Sequence, residues 1–252
     1  MTRAHPLFFA ALALAASTAA CTYQGEGAPL PQTHPTLLIT RQSPSPGEQD
    51  VPRNTTIDIT FSAPLAAETI GEQDLRLFSG VVETLGKVRV DLLERRLRLT
   101  PNSALIPELR YRVHLRGSLH ALDGRRTAER AQIFDFIAGD SLRSPTPARP
   151  TISDEEVLQL FAPRCASCHR SATSAAGVDL SSAPRMRATL LGQPSPIEGV
   201  PLVRTGDHAR SYLMRKLLGQ AGFIGEPMPP TAALLSPNEL RLVADWIDGL
   251  AR

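Results

Sequence analysis

The sequence has few aromatic residues, few lysines and no strong charge of either sign. Aromatic side chains make up 5% of the 252 residues, and Trp246 is the single tryptophan. Lys87 and Lys216 are the only lysines, so arginine supplies most of the positive charge. The formal net charge is +2, and the basic and acidic side chains balance within residues 34–140 and again within 151–252. Nucleic acid as a partner therefore has no electrostatic support.

A hydrophobic run long enough to span a bilayer is also missing. The apolar stretch Leu7–Ala16 is shorter than the roughly 20 residues that a membrane helix needs. Arg3 precedes this stretch and the small residues Ser17–Ala20 follow it. This order predicts an export signal peptide over residues 1–20.

Three cysteines are an odd number, and Cys21 stands apart from the other two. The segment Ser17-Thr-Ala-Ala-Cys21 resembles a bacterial lipobox, in which the signal is cleaved before a diacylated cysteine, although Leu is usual where Thr18 stands. The resemblance implies a lipid anchor at Cys21, with residues 21–36 as a Gly/Pro-rich tether. Ordinary cleavage near Ala20 is the alternative and would leave a soluble periplasmic protein. The expected location is the periplasm or cell envelope, at the outer membrane if the chain is lipid-anchored.

Residues 37–139 show the period of short, half-buried strands. Apolar residues alternate with polar ones in several runs, for example at Ile57, Ile59 and Phe61 and again at Tyr111, Val113 and Leu115. Proline, glycine and asparagine punctuate the runs. Such alternation predicts antiparallel strands that each bury one face. We expect a β-sandwich of about seven strands.

The residues between these strands carry a family resemblance. The segments Ser45–Asn54 and Ile57–Leu65, followed by Leu97–Pro101 and by a final hairpin ending at Phe136, resemble the bacterial Ig-like domain of S-layer and other surface proteins. The resemblance implies a fold and no catalytic residues. His114 and His120 are interpreted as ordinary strand and turn residues.

After a Pro-rich linker at residues 140–150, the pattern becomes helical over residues 151–252. Ser153 with Glu156, and Ser236 with Glu239, have the spacing of capping boxes, and Pro237 suits a first helical position. A further helix is expected to begin near Asp207. The predicted fold class is therefore multidomain, with an all-β sandwich followed by an all-α domain.

The segment Cys165-Ala-Ser-Cys168-His169 has the spacing of a covalent haem-attachment motif. Two thiols separated by two residues can bond to the two vinyl groups of one haem, and the histidine that follows is placed to bind its iron. A zinc site or a redox-active dithiol is the alternative, but zinc needs further ligands. The sequence predicts one covalently attached haem c.

Met228 is the candidate for the second axial ligand of this iron. It lies 59 residues beyond His169, in the segment Gly225-Glu-Pro-Met-Pro-Pro230. Flanking prolines restrict the loop and can hold a thioether towards iron. The alternative interpretation of Met228 is a methionine that fills space in the core. His208 is the rival candidate for the iron ligand.

The order of these features resembles a class I cytochrome c domain, in the variant common in planctomycete and myxobacterial proteins. The resemblance covers residues 151–252 and implies that the first and last helices pack through Phe161 and Trp246. It also implies haem binding by Cys165, Cys168, His169 and Met228, with His169 and Met228 as metal ligands.

The expected function is electron transfer to redox partner proteins, with no enzymatic activity, because two axial ligands leave the iron no open position. The Ig-like domain is expected to be a spacer or docking module. Two alternatives remain. The chain could be a surface binding or adhesion protein with a structural or sensory haem, or it could be a peroxidase-like enzyme in which Met228 dissociates.

Overall fold

The computed structural model describes residues 36–145, 147, 149–171, 174–230 and 233–250. The predicted signal peptide, the lipidation site Cys21 and nearly all of the tether lie outside the described residues. In the part of the chain that is described, no helix is both long and apolar enough to cross a membrane.

From residue 36 onwards, where the structure describes the chain, the N-terminal part contains two four-stranded antiparallel sheets. Strands β1, β2, β6 and β5 form one sheet in that order, and β4, β3, β7 and β8 form the other. Their bounds are β1 Ile39–Ser43, β2 Ile57–Phe61, β3 Leu75–Ser79, β4 Val82–Thr84, β5 Gly86–Asp91, β6 Arg96–Pro101, β7 Arg110–Leu115 and β8 Gln132–Ile137. The predicted β-sandwich is confirmed, and the short edge strand β4 is one element beyond the seven expected.

The register of the strands explains why the alternating sequence forms a sandwich. In the first sheet Ile59 of β2 lies opposite Leu97 of β6, and in the second Val113 of β7 lies opposite Phe134 of β8. All four of these side chains are buried. Since side chains in a strand alternate between faces, this pairing directs one apolar row of each sheet into a shared core.

Four α-helices lie in the described residues of the C-terminal part. They are α1 Asp154–Cys165, α2 Ala183–Leu190, α3 Tyr212–Leu218 and α4 Pro237–Gly249. Ser153 and Ser236 cap α1 and α4 through the predicted capping boxes. The helix expected near Asp207 begins later. Asp207 instead caps a short 3-10 helix at His208–Arg210, and Ser211 is extended before α3 starts.

Helices α1 and α4 are fastened to each other at two points. The indole Nε1 of Trp246 donates to Asp154 Oδ1 at 2.8 Å, and Arg164 Nη1 donates to Glu239 Oε1 at 2.7 Å. Phe161 and Trp246 are both buried, as the packing of first and last helices requires. The end of α1 is thereby held in place by α4.

The two parts of the chain are in direct contact across charged groups. Arg241 of α4 donates to Asp91 at 3.2 Å and to Glu94 at 2.8 Å, beside β5. From the other side, Arg89 of β5 donates to the carbonyl of Gly206 at 3.0 Å. The linker takes part as well, because Arg149 pairs with Asp245 at 2.5 Å. The sequence patterns did not predict this interface.

Candidate functional site

Helix α1 delivers the Cys-x-x-Cys-His motif at its C-terminal end. Cys165 is the last helical residue, and its carbonyl accepts the backbone N–H groups of Cys168 at 3.2 Å and His169 at 3.1 Å. The motif therefore forms one closed backbone turn that contains Cys165, Cys168 and His169. Neither Cys165 nor Cys168 is in a disulfide, and both are half-buried.

The chain that follows the motif folds back and covers it. The N–H of Ala175 donates to the carbonyl of Cys168 at 3.2 Å, and the N–H of Leu180 donates to the carbonyl of His169 at 2.6 Å. Leu180 is buried and Val178 packs against the core. The turn is therefore joined to the segment that follows it by two backbone hydrogen bonds.

The imidazole of His169 lies in a poorly solvated position. Burial lowers its pKa below the usual value, and the backbone groups of Ala175 and Val178 act in the opposite direction. Its Nδ1 is buried, and no group in the described part of the chain forms a hydrogen bond with it. A lowered pKa keeps the imidazole neutral near pH 7, which is the form that binds metals.

The thiol of Cys165 is also shielded from water. Burial raises its pKa to about 11, with a smaller contribution from Cys168 and an opposing one from Arg164. A thiol of that kind stays protonated at neutral pH and is a weak nucleophile on its own. This environment does not favour a redox-active dithiol, in which one cysteine is normally held as a thiolate.

Met228 lies on a loop that α3 supports. Its backbone N–H donates to the carbonyl of Lys216 at 2.9 Å, and its half-buried side chain packs against the core. The Lys216 ammonium donates to the carbonyl of Ile224 at 2.8 Å and also to that of Glu226. The hydroxyl of Tyr212 accepts the N–H of Ile224 at 3.0 Å. The backbone N–H of Met228 is therefore bonded to α3 and not to the Cys-x-x-Cys-His motif.

Sequence reasoning missed Lys216 and Tyr212 as supports of this loop. Lysine is rare in the chain, and this rarity was the available signal for Lys216. The compact ammonium of a lysine suits a point contact with several carbonyl groups. For Tyr212 the sequence offered no signal, because its partner lies 12 residues ahead in an irregular segment.

His208, the rival ligand, has both ring nitrogens directed at carboxylates. Nδ1 lies 3.0 Å from Asp248 of α4, and Nε2 lies 3.6 Å from Asp91 of β5. Burial alone would lower its pKa, but the carboxylates of Asp248 and Asp91 more than offset this and raise the pKa to about 9. A protonated imidazole held between two carboxylates has no lone pair for iron. The geometry therefore places His208 in the interface between the two parts of the chain.

The residues present fit a haem better than a four-ligand metal site. Among the described residues, no three His, Cys, Asp or Glu side chains come together to hold a metal ion. A haem iron takes only one or two ligands from the protein, and the thiols bond to the porphyrin instead. The neutral imidazole of His169 and the two half-buried thiols on the same backbone turn are the features that match it.

Residues 32–137 match the family model of the bacterial Ig-like domain. The match covers less than half of the chain and supports an Ig-like domain in its N-terminal part, as the two-sheet sandwich does. No curated protein matches the sequence.

Several solved structures are similar to the chain at a low level. The N-terminal part of the bacterial S-layer protein SbsC is 17% identical with a TM-score of 0.31, covering 48% of this chain and 26% of that one. An L,D-transpeptidase from Mycobacterium smegmatis is 15% identical with a TM-score of 0.30, covering 42% and 41%. The methionine-rich copper resistance protein PcoC from Escherichia coli is 17% identical with a TM-score of 0.33, covering 41% and 99%. The chain thus spans less than half the length of the first two.

Proposed function

We propose that the chain is an exported, monohaem c-type cytochrome that transfers electrons to redox partner proteins. The observation that carries the proposal is the single backbone turn at the end of α1, which contains Cys165, Cys168 and His169. Each of these three residues has a defined task in haem attachment.

The residues of the chain divide the work as follows. The thiols of Cys165 and Cys168 would hold the haem covalently, each by addition of its S–H across one vinyl double bond, which needs no oxidant. His169 would bind the iron through a neutral imidazole nitrogen, and Met228 would bind it through its thioether. When bound, the haem supplies one-electron redox chemistry at its iron. Burial around Val178, Leu180 and Met228 limits access of water.

The N-terminal part has a separate task under this proposal. A bacterial Ig-like domain suits a protein of the cell envelope or the extracellular space, where it acts as a spacer or docking module. The proposal includes a lipid anchor at Cys21 that attaches the chain to the outer membrane. Because the charges of residues 151–252 balance, we expect weak and transient docking to redox partners without strong electrostatic steering.

Production of the full chain in bacteria that carry haem-maturation machinery tests the proposal. We expect one iron per chain and haem that stays on the polypeptide in a denaturing gel. Cys168→Ala should weaken the attachment, whereas Ser167→Ala, an exposed residue of the same turn, should leave it unchanged. One zinc per chain with no iron would refute the proposal.

Fractionation of the same cultures tests the anchor. Cys21→Ser should move the protein from the membrane fraction to the soluble periplasm, since acylation holds the wild type at the membrane. A wild-type protein that is already soluble, with an unmodified N-terminus, would show that the lipobox interpretation is wrong.

A further inference from the structure

The segment that leads to Met228 is anchored on the Ig-like domain by a buried arginine. Arg215 of α3 is 2% exposed. Its Nη2 donates to Glu68 Oε2 at 2.5 Å, across the interface, and its Nη1 reaches the carbonyl of Gly222 at 3.5 Å. Glu68 lies in the 3-10 helix Ala67–Thr69 of the N-terminal part. One guanidinium therefore joins that helix to the start of the Met228 loop.

The same 3-10 helix receives a second arginine. Arg210, just before α3, donates from Nε to the carbonyl of Ala67 at 3.1 Å and from Nη2 to the carbonyl of Ile70 at 2.7 Å. Arg210 is itself oriented by Asp207 at 2.7 Å. Arg210 and Arg215 are thus both bonded to residues 67–70.

The loop also rests directly on an apolar side chain of the Ig-like domain. At Gly222 an added Cβ would lie 2.9 Å from Cδ2 of Leu122, which is closer than real Cβ contacts. Leu122 is itself buried. Gly222 has a φ of +74°, which glycine adopts without strain. A glycine at this place lets the loop backbone approach Leu122.

From these contacts we propose that the Ig-like domain, through Glu68 and Leu122, positions the loop that carries Met228. Glu68 neutralises Arg215, which reaches Gly222, and Leu122 forms the surface on which the loop lies. The loop then runs to Ile224 and Met228, which α3 fixes through Tyr212 and Lys216. The meaning of this positioning for electron transfer rests on the proposed function, because it presupposes that Met228 binds the haem iron.

Hydrogen exchange of the full chain tests the positioning itself. Glu68→Gln leaves the buried Arg215 without its charge partner, and we expect the backbone N–H groups of Ile224 and Met228 to exchange about tenfold faster. The N–H groups of α4 should keep their wild-type exchange rates. Glu72→Gln is the matched control, since Glu72 is exposed in the neighbouring 3-10 helix.

A second pair of variants covers the case in which Glu68→Gln fails to fold. Gly222→Ala should accelerate exchange in the loop through the collision with Leu122, and the added change Leu122→Ala should reverse most of that acceleration. Gly199→Ala is the matched control, because Gly199 has the same φ of +74° and open space around it. Equal loop exchange in Gly222→Ala and Gly199→Ala would overturn the proposal.

The haem readout separates this inference from the proposed function. In haem-loaded ferric protein, Glu68→Gln should weaken the absorption band of the sulfur–iron bond, while Glu72→Gln should not. Faster loop exchange in a chain that binds no haem would uphold the positioning and refute the cytochrome. A haem-bound chain with unchanged loop exchange in both Glu68→Gln and Gly222→Ala would refute the positioning alone.

Discussion

At the scale of single residues, Met228 and His208 were the two candidates for the distal iron ligand. The structure gives His208 two carboxylate partners, Asp91 and Asp248, and leaves its side chain 5% exposed. The half-buried side chain of Met228 lies on a loop that is hydrogen-bonded to α3. The thioether of Met228 is therefore available to bind iron. This supports Met228 as the distal ligand, and the ligation itself stays a prediction.

Met228→Ala is expected to remove the sulfur–iron absorption band and to lower the redox potential, because a thioether favours ferrous iron. The variant should also bind carbon monoxide readily, since an axial position becomes open. Visible spectra of ferric and ferrous protein, with a potentiometric titration, measure both effects.

Met186→Leu is the control for this experiment, because Met186 is fully buried in α2 and the substitution preserves volume. Its spectrum should equal that of the wild type. A Met228→Ala variant with unchanged spectrum and potential would contradict ligation, and a wild type that already binds carbon monoxide would favour the peroxidase-like or sensory alternative.

At the scale of elements, helix caps decide how firmly the site is held. The hydroxyl of Ser236 accepts the N–H of Glu239, and the Glu239 carboxylate accepts the N–H of Ser236 at 2.7 Å. The same carboxylate receives Arg164 of α1, and the backbone N–H of Ser236 with Arg164 lowers the Glu239 pKa to about 2. The cap of α4 is therefore also a fastening for the helix that ends in Cys165.

Ser236→Ala should lower the free energy of unfolding by about 1 kcal/mol, the usual loss for a capping hydroxyl. Ser182→Ala offers a matched comparison, since Ser182 precedes α2 without a side-chain cap bond, and should cost only about a few tenths. Urea unfolding followed by far-UV circular dichroism measures both. Equal losses for the two variants would show that the α4 cap contributes nothing beyond an ordinary surface serine.

At the scale of the whole molecule, the contact between the two parts includes a buried histidine whose pKa is raised. His208 faces Asp91 from the Ig-like domain and Asp248 from α4, and arginines flank these carboxylates. Arg241 and Arg96 pair with Asp91, and Arg149 lies 3.8 Å from Asp248. Except for Arg241, these groups line a cleft of about 450 Å³ between the two parts.

The stability that His208 adds to the interface should fall as the pH rises from neutral to alkaline values. The pKa of His208 is about 9 in the folded chain and about 6.5 when unfolded. A raised pKa means that the contribution is complete below about pH 6.5 and is lost progressively as the pH approaches 9. Urea unfolding midpoints of the full chain, measured from pH 6 to pH 9.5, should therefore decline.

His208→Gln supplies the comparison, because glutamine cannot carry the charge. Its midpoint should lie below that of the wild type at pH 6 and should change less with pH. If the unfolding midpoint of His208→Gln declines with pH as much as that of the wild type, other groups cause the pH dependence.

The sequence by itself determined the local features, because each depends on residues close together in the chain. The period-two alternation gave the strands of the sandwich, the Ser-x-x-Glu spacings gave the ends of α1 and α4, and Cys165, Cys168 and His169 share one turn because of their spacing. The family resemblance of the Ig-like part likewise rested on contiguous segments.

Only the tertiary structure decided which distant side chains meet. Glu68 and Arg215 lie 147 positions apart, and no periodicity connects them. The sequence could not distinguish His208 as a ligand from His208 as an interface cation, since the two carboxylates that surround it come from β5 and α4. Charged contacts between domains depend on how complete elements pack. They therefore follow from the packing of the helical part against the sandwich and not from any local sequence pattern.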